Sequence, residues 1–145
     1  MNMTMRKKTL LKKERGIVLL EGLIAILIFS FGVLALVGLQ AASIKNVTEA
    51  KYRSDAAFFA NQVVARMWVS DKATLETDFE TGGAAYDAWL AEVQDAARGL
   101  PGSTANAPTI DVEPANNMVT VTVFWVSPSD PDQLVHRHVA VTQIN

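Results

Sequence analysis

From Ile17 to Leu39 the chain carries a single ionisable residue, Glu21, and no further charge appears until Lys45. The 23 residues from Gly22 to Ile44 would extend roughly 30 Å or slightly more as a helix, which is enough to cross the hydrocarbon core of a bilayer. A domain built from the rest of a 145-residue chain is too small to bury such a segment. The segment must therefore find lipid or other helices of its kind. An ionised carboxylate at the centre of a bilayer costs about 2.5 to 3.5 kcal/mol on insertion scales, so a glutamate kept there implies a specific partner.

Charge supplies an orientation. Residues 1–16 hold Arg6, Lys7, Lys8, Lys12, Lys13 and Arg15 against Glu14 alone, a net +5, and since the whole chain carries −2 the remainder carries −7. Basic residues flanking a span stay on the cytoplasmic side, so the acidic remainder is exported. That acidity argues against nucleic acid as a partner. The chain has no cysteine, so an exported domain must hold together by packing, without a disulfide.

Two plainer readings of the run exist, a cleaved secretory signal ending near Ala41-Ala42-Ser43 and an unprocessed single-span anchor. An ordinary signal has an apolar core of about 7 to 15 residues, and its length and embedded glutamate set this run apart. Beyond the run the helical signal continues: Ile44, Val47, Tyr52, Phe58, Phe59, Val63 and Met67 or Trp68 recur at three- and four-residue steps with charged residues between them, giving an amphipathic half. No proline interrupts Ile17 to Val69, so one helix of roughly 80 Å is expected at 1.5 Å per residue.

The remaining residues predict a small domain. Ser70 and Asp71 punctuate the long helix, and Thr81-Gly82-Gly83 opens a second helical segment with Tyr86, Trp89, Leu90, Val93 and Ala97 on one face, closed by Gly99 and Pro101. The period then changes to two. Thr109 to Glu113 is a short strand, Asn116-Asn117 a turn, and Met118 to Val126 a strand in which Val119, Val121, Val123 and Trp125 share a face. Pro128 to Asp132 forms a connecting loop, and Leu134 to Ile144 returns as a strand with Val135, Val139 and Val141 on one side. The expected fold class is α+β, a long N-terminal helix packed against a small C-terminal antiparallel sheet.

A basic leader, Gly16, the run Ile17-Val18-Leu19-Leu20-Glu21 and a long apolar helix together resemble the processing site of type IV prepilins and of the related type II secretion pseudopilins. The stretch from Gly32 to Ala42, with Tyr52-Arg53-Ser54 and Ala65-Arg66-Met67 behind it, is most similar to PilV-type minor pilins, also called pilus modification proteins. The first likeness is short but specific in its context, while the second covers about half the chain. The resemblance implies a type IV pilin-like fold. It also implies cleavage after Gly16 by a membrane-bound prepilin peptidase, N-methylation of the new terminus at Ile17, and assembly with other minor pilins and the major pilin.

On this reading residues 1–16 are a leader removed on maturation, 17–44 the transmembrane half of the helix, 45–70 its amphipathic half and 71–145 a periplasmic globular α+β domain. The chain would sit in the inner membrane as a single-pass protein and join the surface pilus, or fimbrium, after processing. Two departures from the family pattern stand out. Ile17 occupies a position most often held by phenylalanine, and the chain lacks both the helix-kinking proline and the C-terminal disulfide usual in major pilins. Both absences favour an accessory subunit, one that promotes pilus assembly in an initiating or tip complex and so supports adhesion and twitching motility. A secretion pseudopilin and a membrane-anchored ligand- or DNA-binding module are the alternatives.

Cleavage after Gly16 would remove the leader and leave a cationic amine on Ile17, four residues before Glu21 on the helix. Pairing Glu21 with the Ile17 amine of a neighbouring subunit would neutralise both charges and fix the axial register between helices, whereas an unpaired partner in low dielectric is strongly penalised. Glycine at position 16 suits a protease that must approach the backbone closely.

Catalytic chemistry is not expected, nor is a cofactor or metal. His136 and His138 lie two apart on one strand face and could supply two metal ligands, but a solvated strand face is the simpler account. Asp130 and Asp132 fit a turn around Pro131 better than calcium binding. Glu76, Asp78 and Glu80 read as a solvated loop, and Trp89 and Trp125 as core.

Overall fold

The computed structural model describes the backbone of residues 11–144 and the side chains of residues 16–144. The basic residues Arg6, Lys7 and Lys8 of the expected leader lie outside the described residues, as do the side chains of Lys12, Lys13 and Arg15. The chain divides into two compact units, with the boundary between Ile44 and Lys45.

The first unit is helical throughout its described length. Helix α1 runs Leu11–Trp68, so it begins ahead of Gly16, and its part up to Ile44 belongs to this unit. The helix from Gly16 is long and apolar enough to cross a membrane, and none of its most apolar window is buried. This separates it from the core helix of a water-soluble protein, whose apolar face would be covered. Ser30, in the middle of the run, donates its hydroxyl to the Ile26 carbonyl at 2.7 Å, which removes an unpaired donor from an apolar surface.

The second unit begins with the rest of α1 and ends in a three-stranded sheet. Ala56, Phe59, Ala60, Val63 and Met67 are buried at i, i+3, i+4, i+7 and i+11, a stripe one side chain wide. It is narrower than the predicted one. Phe58, Trp68, Val47 and Ile44 remain exposed, and two alanines missing from the expected face take their places, allowing close approach of the packed layer. Ser70 closes the helix by donating its hydroxyl to the Arg66 carbonyl at 2.8 Å. A short 3-10 turn, Lys72–Thr74, then starts at Asp71, whose carboxylate accepts from the Ala73 amide.

Helix α2, Leu75–Phe79, occupies the segment predicted as a solvated loop. Leu75 and Phe79 are four apart and both buried, so the acidic residues between them ride on an amphipathic turn anchored at each end. Helix α3, Ala84–Val93, buries Tyr86, Trp89 and Val93. It stops earlier than predicted, and Ala97 is exposed instead of continuing the apolar face. The cause is Asp95, whose carboxylate accepts from the Ala97 and Arg98 amides and turns the chain, after which the Leu100 amide donates to the Val93 carbonyl at 2.8 Å.

Strands β1 (Thr109–Glu113), β2 (Met118–Val126) and β3 (Val135–Gln143) pair antiparallel in that order. The β1–β2 turn is made by Asn116 and Asn117. Asn117 adopts φ 52°, and the Asn116 side chain accepts from the Met118 amide, the local bond and left-handed backbone that asparagine supports. The inner face of β2 is Val119, Val121, Val123 and Trp125, all buried. Ile110 and Val112 lie beside Val121 and Val119, and His138 and His136 lie beside Val123 and Trp125. Each fully buried apolar side chain contributes about 1.5–3 kcal/mol. These residues join the α1 stripe, α2 and α3 in one core cluster. The outer edge of β1 is closed by Thr81, which exchanges bonds with the backbone of Ile110.

Candidate functional site

Gly16, Ile17 and Glu21 all lie on α1 and all are exposed. A methyl group added at Gly16 would meet nothing within 4 Å. Among the described residues, no packing asks for glycine at that position. Ile17 is 62% exposed, and Glu21 follows it by one helical turn. Among the described residues the lone carboxylate of the apolar run, Glu21, has no hydrogen bond or ion pair.

The histidines sit where the sequence reading did not put them. The predicted solvated face of β3 is half-buried, and Val135, Val139 and Val141 are the exposed set. Register explains the reversal. His136 and His138 pair with Trp125 and Val123, residues of the inner face, and Ile144, of the same parity, is 1% exposed. The His136 ring stacks on the Trp125 indole at 5.6 Å between centroids and 20° between planes. Its Nε2 lies 3.9 Å from Glu49 Oε2 on α1 and 3.8 Å from Asp130 Oδ2 in the β2–β3 connection. That nitrogen is buried and makes no hydrogen bond.

Asp130 behaves as the predicted turn former. It is 8% exposed, and its two oxygens accept from the Asp132 and Leu134 amides at 3.3 and 3.2 Å. Among the described residues no group of three or more His, Cys, Asp or Glu side chains is placed to hold a metal ion. Trp89 and Trp125 are core residues at 0% and 2% exposure.

A groove of about 820 Å³ runs between α1 and the turn after α3, with Lys51, Phe58, Gln62, Glu92 and Arg98 among its lining. Glu92 is held there by Arg66 at 2.7 and 2.8 Å and by Gln62 at 2.9 Å. Sequence periodicity has no signal for this groove or for the Glu49–Asp130–His136 grouping, because both join residues far apart in the chain.

Tyr86 shows the electrostatics of the packed interior. Its hydroxyl donates to the Pro108 carbonyl at 2.7 Å, and burial, with a smaller contribution from the Asp87 carboxylate, pushes its pKa above the ordinary tyrosine value. Against family models, curated proteins and solved structures, the chain finds no match.

Proposed function

We propose that this chain is a minor pilin, an exported structural subunit that promotes assembly of the type IV pilus from an initiating or tip complex. The observation that carries the reading is Glu21. It is a lone carboxylate without a partner among the described residues, exposed on a helix of membrane-spanning length, one turn beyond Ile17 and five residues beyond a glycine where an added methyl group would meet none of the described atoms.

Processing after Gly16 by a prepilin peptidase creates the amine that Glu21 lacks, and N-methylation of Ile17 leaves that amine cationic. Docking then pairs Glu21 with the Ile17 amine of a neighbouring pilin, minor or major. Correct axial register satisfies both charges and every other register leaves one unpaired, so the pair selects for the right neighbour more than it adds net stability. Before assembly the subunit is held in the inner membrane with residues 71–145 on the periplasmic side. The α+β layout, with a helix long enough to span and an amphipathic continuation that carries a sheet domain, supports the same reading.

The mass of the mature N-terminal peptide tests it. A peptide beginning at N-methylated Ile17 supports the proposal, and one beginning at Ala42 or at intact Met1 overturns it. Recovery of the protein with pili sheared from the cell surface separates a pilus subunit from a component of a secretion apparatus.

A further inference from the structure

We infer that His136 is a proton-operated clasp, which on protonation ties Glu49 of α1 to Asp130 of the β2–β3 connection. Three elements converge on one imidazole: Glu49 from α1, Asp130 from the connection and Trp125 from β2. The Nε2 atom is buried, lacks a hydrogen bond and lies 3.8 and 3.9 Å from two carboxylate oxygens. A neutral ring can serve as an acceptor at Nε2 or as donor to one carboxylate. A protonated ring puts a cation between two anions, with the indole face beneath it.

The two carboxylates are not equivalent. The Asp130 side chain is 10% exposed and already committed to the backbone of its own loop, whereas the Glu49 side chain is 26% exposed and makes no other side-chain bond among the described residues. Glu49 is thus the mobile jaw and Asp130 the fixed one. Other charges near the clasp are few. Lys45 and Arg53 lie four residues either side of Glu49 on α1 and compete for it, Arg137 is on the opposite face of β3, and His138 sits two residues along on the same face. Trp125 brings no charge.

The sign follows from which form the arrangement favours. Two carboxylates facing one imidazole favour its protonated form, so the tie belongs to acidic conditions and is absent in alkaline ones. A domain exposed to the medium would hold its β2–β3 connection against α1 in acidic surroundings and release it in alkaline ones.

A double-mutant cycle on the full chain in detergent micelles, Glu49→Gln with His136→Gln, reads the clasp directly. Thermal unfolding at pH 5 should show the two substitutions coupled by on the order of 2–4 °C in Tm, with no coupling at pH 8. His138→Gln in place of His136→Gln should show no coupling to Glu49 at either pH. Equal coupling at both pH values, or none at pH 5, overturns the inference. Should His136→Gln not fold, NMR titration of the His136 ring replaces it: the midpoint must fall in Glu49→Gln relative to wild type, and an unchanged midpoint is equally fatal.

Discussion

Trp89 on α3 donates its indole N–H to the backbone carbonyl of Phe59 on α1 at 3.1 Å, and both residues are buried. A single side chain thus fastens α3 to the amphipathic half of α1 while its ring fills the core between them. Trp89→Ala removes both contributions and should lower stability by about 3–5 kcal/mol. Trp89→Phe keeps most of the volume and loses the donor, so a smaller loss of about 1–2 kcal/mol is expected. Denaturant unfolding of the full chain in detergent, followed by near-ultraviolet circular dichroism, distinguishes the two. Equal losses for both variants would mean that the hydrogen bond, not packing, dominates.

Gly99 is needed for close backbone approach. A methyl group there would overlap the Val93 carbonyl and come within 2.6 Å of the Asp95 carbonyl oxygen, and neither backbone atom can swing aside as a side chain would. Gly99→Ala should therefore cost about 1–3 kcal/mol. Gly38→Ala on the apolar part of α1 meets nothing within 4 Å and should leave the globular unit's unfolding midpoint unchanged. A Gly99→Ala protein as stable as the parent would show that the turn after α3 can relax.

The long helix and the three strands could be read from the chain because their signals are local. An uninterrupted apolar run and strict alternation at Val119, Val121, Val123 and Trp125 need no tertiary information. Helix α2 was hidden because only two apolar residues, Leu75 and Phe79, anchor it among acidic neighbours. The inward face of β3 was hidden for a different reason. Its three valines satisfy the alternation rule on the wrong parity, and only pairing with β2 decides that His136, His138 and Ile144 turn inward. Gly16, Ile17 and Glu21 were legible as a motif, and the fold adds that, among the described residues, nothing packs at Gly16 and Glu21 has no partner.

Substituting Gly16 should separate processing from folding. A Cβ added at position 16 meets none of the described atoms within 4 Å, so Gly16→Leu should insert and fold normally while retaining residues 1–16. Intact mass measurement of membrane-extracted protein reads this, and a mature-sized product from the variant would contradict the proposed role of the glycine.

Glu21→Ala removes the lone carboxylate of the apolar run and eases transfer into lipid. Insertion and cleavage should be unchanged, and incorporation into filaments should fall, measured as the ratio of subunit in sheared pili to subunit in the membrane. Normal incorporation would sink the docking role proposed for the pair with Ile17.

Tyr86 gives an alkaline signature that tests the packed interior. The residue is 4% exposed, its hydroxyl bonds to the Pro108 carbonyl, and its pKa is raised, first by burial and then by Asp87. A raised folded-state pKa means that the protonated form is favoured in the fold. The contribution is fully present below the unfolded tyrosine value of about 10 and is lost as pH climbs through the higher folded-state value. Tyr86→Phe leaves the Pro108 carbonyl without its donor and should be less stable by about 1–2 kcal/mol at pH 7. Above pH 10 the wild-type protein must lose stability to tyrosinate formation while the phenylalanine variant does not, so the gap between them should close as pH rises. Unfolding midpoints of the two proteins from pH 7 to 11 check this, and a constant gap would mean that Tyr86 ionises without disturbing the core.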